Sequence, residues 1–437
     1  MGNTNKQQGS IIAIVTMMFL YAMISFVTNL AAPIGVIWKN AFQGDSANTV
    51  GMLGNAMNFL AYLFMGIPAG KMLSKIGYKK TALVGIAFGF FGVLIQFLSG
   101  KFGTDAKVTG FSVYLLGAFV AGFSVCILNT VVNPMLNLLG GGGNRGNQLN
   151  LIGGTLNSLS GTLTPLFVGT LIGTVTAQTA MVDVNLVLYI AMAVFAMAYI
   201  ILTFIPIQDP EVGKTDSKTV FEHSPWAFRH FVLGTIAIFV YVGVEVGIPG
   251  TLIYYLSDTT DMGAGLGGEA VAIAGAVAAT YWFLMLVGRF TAGFIAGKVS
   301  SRTMMSVTTS VAITLILFAM VLGKSTTVSM PVFTGSSFSM VTVPVAALLL
   351  VLCGLCTSVM WSSIFNLATE GLGKYTAAAS GIFMMMVVGG GALPIMQSFI
   401  ADKMGYLTSY IVPLIGVCYM CFYALVGSKN VNKDIPV

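Results

Sequence analysis

The sequence predicts an all-α membrane protein of twelve transmembrane helices, arranged as two six-helix, pseudo-symmetric bundles. Three observations carry this. Of 437 residues, 56% are hydrophobic and only 34 are charged, 20 basic and 14 acidic. A soluble chain of this length carries about a quarter, roughly 109. The apolar residues fall into runs of about 20 or more, the length that crosses a bilayer as a helix. A charged connector at 208–226 divides these runs six and six. So few charges cannot cover a water-facing surface, and mean hydropathy is +0.90. A soluble enzyme, a nucleic-acid binder and a disordered scaffold are excluded. The net charge of +6 reads as basic loops facing a negative-inside compartment.

Taken in order, the first span follows the polar segment MGNTNKQQGS and covers 11–37. It is too long for a signal-peptide core and is read as retained. Spans follow at 50–70, 81–100, 111–139, 150–174 and 185–207, completing an N-terminal bundle over 1–207. After the connector come 227–256, 270–297, 304–323, 343–368, 377–400 and 407–427, the C-terminal bundle of 227–437. Unbroken apolarity with Gly and Pro inside argues for helices and against the alternating pattern of a barrel. Gly85-x-x-x-Gly89 and Gly389-Gly390-Gly391 permit close helix approach or bending. The run Gly140-Gly-Gly-Gly143-Asn144-Arg145 lacks the G-K-[ST] ending of a phosphate loop and joins spans 4 and 5.

An even number of spans puts both termini on one side. That side holds 15 of the 20 basic residues, the other only Lys39, Lys101, Lys107, Lys324 and Lys403. The termini are therefore expected in the cytoplasm. The halves repeat weakly. Gly66-Ile-Pro-Ala-Gly70-Lys71 after span 2 corresponds to Gly293-Phe-Ile-Ala-Gly297-Lys298 after span 8. Asn29 with Pro33 in span 1 echoes Glu245 with Pro249 in span 7 at an offset of 216, while Phe19-x-Tyr21 and Phe239-x-Tyr241 give 220, one helical turn different, so the repeat is read without a fixed register. Two equivalent halves with a site between them at mid-membrane is an alternating-access design.

Seven acidic residues fall at loops on the side away from the termini and six on the termini side. The remaining one, Glu245, lies near the middle of span 7, with no basic residue read as lying inside a span to pair with it. An ionised carboxylate is costly there, so Glu245 is expected to take up a proton, or to ligate Na⁺ with neighbouring oxygens; a structural, hydrogen-bonded Glu is the other reading. Amides at Asn29, Asn58, Asn129, Asn157, Asn366 and Gln397 offer donors and acceptors without charge, which suits a hydroxyl-rich ligand, although each serves equally as interhelical glue. Tyr281, Trp282 and Trp361 provide faces for the C–H side of a sugar, or pack the core. The two C-x-x-C pairs, Cys353/Cys356 and Cys418/Cys421, sit in apolar runs and read as small packed hydrophobes. With two histidines, His223 and His230, neither a metal cluster nor a catalytic triad is expected, and no enzyme activity.

These residues resemble the major facilitator superfamily, and within it the fucose–proton symporter family of bacterial sugar transporters. The segment from Gly66 through Gly70, Gly77, Lys79 and Lys80 is similar to the loop between spans 2 and 3 of the superfamily, with Ser74 where that signature has Asp. More specific are Asn133-Pro134, Leu156-Asn157-Ser158, Tyr241-Val-Gly-Val-Glu245, Gly288-Arg289-Phe290 and Ser358-Val-Met-Trp361-Ser-Ser-Ile-Phe-Asn366, continuing to Gly371-Leu-Gly-Lys-Tyr375. The resemblance implies gating roles for Gly70, Gly77, Lys79, Lys80 and Arg289, and a bacterial inner-membrane location. Where the fucose transporter couples protons through a span 1 Asp and a span 4 Glu, this chain has Asn29 and Asn129, and Gly154 replaces a substrate-motif Gln. Coupling is therefore expected at Glu245 in the other half. The expected function is import of a neutral sugar with H⁺ or Na⁺, without a further cofactor, by a monomer in the bilayer that binds no nucleic acid. An efflux carrier of amphipathic compounds, an uncoupled uniporter and a non-transporting sensor fit the same fold.

Overall fold

A computed structural model describes the chain apart from residues 1, 43, 45, 104–105, 140–142, 173–177, 208–222, 267–269, 297–298, 335–336, 373–374, 433 and 436–437. Most of the 208–226 connector, the glycine loop at 140–142, the ends of the predicted spans at 174 and 297, and Gly-Lys before Tyr375 lie outside the described residues.

The elements follow the predicted order. Span 1 is α1 (Gly2–Ala41); spans 2 and 3 together form α2 (Ala47–Ser99). Spans 4 to 6 are α3 (Lys107–Leu139), α4 (Gly143–Ile172) and α5 (Asn185–Phe204). Spans 7 to 9 are α6 (Arg229–Ser257), α7 (Ala270–Ile295) and α8 (Ser301–Leu322). Span 10 is α9 (Val345–Thr357) with α10 (Met360–Thr369), span 11 is α11 (Thr376–Met385) with α12 (Gly389–Met404), and span 12 is α13 (Tyr406–Ser409) with α14 (Ile411–Phe422). Among the described residues, eleven helical stretches are long and apolar enough to cross a membrane. The twelfth crossing, α4, is richer in Asn, Ser, Thr and Gly. It is shielded by packing on α1 and α7, which explains how so polar a helix is tolerated.

Spans 2 and 3 run through the basic turn with a single break, at Gly77 (φ 82°, ψ 173°). That backbone region is nearly closed to residues with a Cβ. Prolines fall inside several spans that carry polar residues. Pro33 in span 1 and Pro249 in span 7 withhold the amides that would bond the carbonyls of Asn29 and Glu245, four residues earlier. Pro394 lies in span 11 beyond Gly389–Gly391, where a short 3₁₀ turn at Met386–Val388 interrupts the helix. A Cβ on Gly389 would overlap the Phe239 carbonyl of span 7, and one on Gly391 would meet the Ala56 backbone of span 2, so these glycines let span 11 pack closely on both.

The two halves meet along two seams, α4 against α7 and α2 against α12 and α11. One element was not expected. The segment between spans 9 and 10 forms an antiparallel hairpin, β1 (Thr327–Phe333) with β2 (Phe338–Pro344), pairing Met330 with Val341. Met330, Val332 and Val343 are buried. Phe333 N donates to Thr280 Oγ1 of span 8 at 2.9 Å, satisfying an edge amide on the helix rather than in a third strand. Pro331 stands two residues earlier on the same edge, where no amide is needed.

Candidate substrate and coupling site

Glu245 lies midway along span 7, one turn beyond Tyr241. Its Oε1 accepts from the Tyr241 hydroxyl at 2.8 Å and from Arg289 Nη2 at 3.0 Å. This corrects the expectation of an unpaired carboxylate. Arg289 is near the end of span 8 and counts among the termini-side cations by position, but it lies inside the helix and its long side chain reaches Glu245. Arg289 Nη1 donates to the Gly154 carbonyl at 3.0 Å and to Ser158 Oγ at 2.9 Å, both in span 5. One guanidinium therefore joins spans 5, 7 and 8 and both halves. The two side chains retain only 12% and 13% exposure. A planar five-donor group can hold three acceptors in this way, and a lysine could not reproduce it.

The amides divide by partner. Asn157 Nδ2 donates to the Tyr21 carbonyl at 3.0 Å, tying span 5 to span 1. Asn129 Nδ2 donates to the Tyr62 hydroxyl at 2.7 Å, tying span 4 to span 2. The Tyr21 hydroxyl donates to Asn133 Oδ1. Asn29 Nδ2 turns back to its own helix, donating to the carbonyl and hydroxyl of Ser25. Asn58 and Gln397 are buried, with Asn58 Oδ1 and Gln397 Nε2 unpartnered. Asn55 Nδ2 crosses the seam to the Gly390 carbonyl at 2.9 Å.

The aromatic residues group on the C-terminal side. Trp361 lies 6.2 Å from the Tyr241 ring, and Tyr281 meets Trp282 edge to face at 5.6 Å. The Tyr281 hydroxyl is 3.0 Å from Thr357 Oγ1. Trp282 also lines a cavity of about 30 Å³ between the halves, with Thr28, Asn29, Met52, Asn55 and Pro249. That volume holds a water or two and no sugar.

Other predicted residues stand apart from this group. Asn366 is exposed near the end of span 10. Gly70, Gly77, Lys79 and Lys80 lie at the turn between spans 2 and 3. Lys79 Nζ donates to the carbonyls of Thr203 and Ile205 at the end of span 6, at 2.8 and 2.7 Å, while Lys80 is exposed. Asn133 is among the amides expected to line a polar cavity, whereas Tyr21, Tyr62 and Ser158 carry no such expectation from the sequence. The matched pairs Phe19-x-Tyr21 and Phe239-x-Tyr241 were the available signal, since both tyrosines serve the polar centre of their half.

The Major Facilitator Superfamily profile matches residues 14–395. The chain is 31% identical over 434 residues to a glucose/galactose transporter of Brucella abortus, covering 98% of this chain and 97% of that protein. It is 22% identical over 444 residues to the L-fucose-proton symporter of Escherichia coli, covering 96% of this chain and 93% of that one. Its fold is similar to a crystal structure of the E. coli fucose:proton symporter, with a TM-score of 0.68 at 19% identity over 97% of this chain and 100% of the other. The chain belongs to the major facilitator superfamily.

Proposed function

We propose that this multi-pass membrane protein imports a neutral hexose together with a cation, H⁺ or Na⁺, and that Glu245 is the cation acceptor. The substrate class rests on the relatives, a glucose/galactose transporter and a fucose symporter. The termini face is taken as cytoplasmic and the membrane as the bacterial inner one, from the basic residues of that face and the bacterial relatives. The protein is taken to act as a monomer.

The observation that carries the coupling is the Glu245–Arg289 pair and its reach to Gly154 and Ser158. With Glu245 ionised, the two charges compensate each other and the empty halves can stay closed. A cation on Glu245 removes that compensation and leaves Arg289 charged in a low-dielectric site, which is costly. The closed form then needs a polar ligand, and the hydroxyls of a sugar supply acceptors for Arg289 and partners for the amides. Empty and doubly loaded carriers can therefore close, while a carrier holding the cation alone is disfavoured. This forbids a leak. Membrane voltage adds about 2.3 kcal/mol per charge per 100 mV.

The test is uptake into proteoliposomes with a panel including glucose, galactose and fucose, under separate pH and Na⁺ gradients. One gradient should drive accumulation of a panel sugar. Glu245→Gln should retain sugar exchange and lose accumulation. Accumulation by Glu245→Gln would end the coupling assignment, and wild-type uptake that only equilibrates would make the protein a uniporter.

A further inference from the structure

On the face opposite the termini, the two halves are joined by two reciprocal contacts that lie away from the Glu245 group. In the first, Lys39 from the last turn of span 1 enters the C-terminal half. Its Nζ donates to the Tyr406 hydroxyl at 2.8 Å, lies 3.8 Å from Asp258 Oδ2, and sits 5.2 and 5.3 Å from the ring centroids of Tyr254 and Tyr406. The Tyr406 hydroxyl donates in turn to Asp258 Oδ2 at 2.6 Å, with Asn48 Oδ1 of span 2 at 3.1 Å. Lys39 and Asp258 are 11% and 13% exposed, so this is an enclosed cation in an aromatic and acidic box and not a solvated surface pair.

In the second contact the direction is reversed. Asp402 at the end of span 11 accepts from the backbone amides of Asn48 and Thr49 at 3.1 and 3.0 Å, and from Thr49 Oγ1 at 2.6 Å. These are first-turn groups of span 2, whose unpaired amides and positive dipole end call for an anion. The helix's own cap position is Ser46, a residue suited to the task, yet Ser46 makes no side-chain cap bond. Span 2 is capped from the opposite half of the molecule.

We propose that Lys39 and Asp402 form the latch that closes the outer mouth of the carrier, and that Ser46 takes over the span 2 cap when the latch opens. The proposal rests on the alternating-access reading, because the halves must part at this face for substrate to enter. Parting removes Lys39 from its box and Asp402 from the helix end together. The freed amides of span 2 then pass to the Ser46 hydroxyl and to water. The latch residues and Ser46 therefore act with opposite sign: the former hold the closed form and the latter stabilises the open one.

The test uses the full-length protein in right-side-out vesicles without substrate. Met52→Cys, in the cavity behind the latch, is the reporter. Its reaction with a membrane-impermeant maleimide is followed, and the labelling of the native cysteines is subtracted. Asp402→Asn and Lys39→Met should each speed labelling about tenfold, the scale of one lost charge-assisted hydrogen bond. Ser46→Ala should slow it several-fold. Unchanged or slower labelling in both latch variants overturns the proposal, as does faster labelling in Ser46→Ala. Thr49→Cys with Asp402→Cys gives a check that needs a folded protein. A short thiol crosslinker should join the pair less readily in the Lys39→Ala background than with Lys39 present, and equal yields would also overturn the latch. Neither readout requires transport, so failure of the sugar-symport reading remains distinguishable from failure of the latch.

Discussion

Glu245 and Arg289 meet at 3.0 Å between spans 7 and 8, and the same guanidinium holds span 5. A buried pair of this kind is costly to break from one side, by about 3–5 kcal/mol, because the other charge is left behind. Arg289→Met alone should therefore lower thermal stability in detergent sharply. Glu245→Gln with Arg289→Met should recover much of that loss, while remaining inactive in accumulation. Thermal melting of these two variants and of Glu245→Gln alone checks this, and additive losses would refute it.

Trp282 lines the cavity between the halves, whereas Asn366 is exposed near the end of span 10. Both were read from the sequence as substrate residues, and the geometry separates them. Trp282→Ala should raise the half-saturating sugar concentration several-fold, up to about tenfold, through loss of its ring face. Asn366→Ala should leave it unchanged. Initial uptake rates against sugar concentration provide the comparison.

At the turn between spans 2 and 3, Gly77 has φ 82° and ψ 173°, a region held almost solely by glycine. Gly77→Ala should cost about 1–3 kcal/mol. Lys79→Met, two residues on, removes a cation from the carbonyl end of span 6 and should cost about 0.3–1 kcal/mol. Melting temperatures of the two variants should rank in that order.

Asp258 lies just beyond span 7, where burial opposes its charge. Hydrogen bonds from Tyr406 and Thr260 and the Lys39 ammonium outweigh this and hold the carboxyl below its ordinary 3.8. A carboxyl depressed in the closed form contributes closure at any pH above its ordinary value and loses it as pH falls through the lower, closed-form value. Its contribution should thus hold from near neutrality to about pH 5 and, on the acid side, decline only below about 4. The difference in Met52→Cys labelling between wild type and Asp258→Asn, followed against external pH, should shrink only at that acid end.

Much of the architecture is legible in the sequence because bilayer burial imposes long apolar runs. Twelve crossings and the location of Glu245 follow from length, punctuation and charge, while Gly77 is marked by the resemblance to the superfamily's loop between spans 2 and 3. Arg289 was misread because position along a helix says where the Cα lies, not where a long side chain ends. Lys39 and Asp402, read as residues in or beside loops, fall within the last turns of spans 1 and 11, where helix ends facing each other can exchange contacts. The hairpin after span 9 went unread although Val328, Met330 and Val332 alternate, as do Val341 and Val343, around a Thr-Gly-Ser-Ser turn. In so apolar a chain that pattern is masked by the neighbouring spans. The amides were correctly seen as polar material, but which ones bind across helices and which bind their own backbone depends on packing.

Pro33 and Pro249 release the carbonyls of Asn29 and Glu245 in the first span of each half. The backbone is thus prepared twice for the same task, and one carboxylate distinguishes the copies. Under the proposed role of Glu245, which half takes the cation is a property of side-chain identity laid over a shared backbone. Exchanging the two, Asn29→Glu with Glu245→Asn, moves the charge across the pseudo-symmetry axis but strands Arg289 on the half that no longer needs it. Moving the carboxylate in this chain therefore calls for moving its guanidinium partner with it.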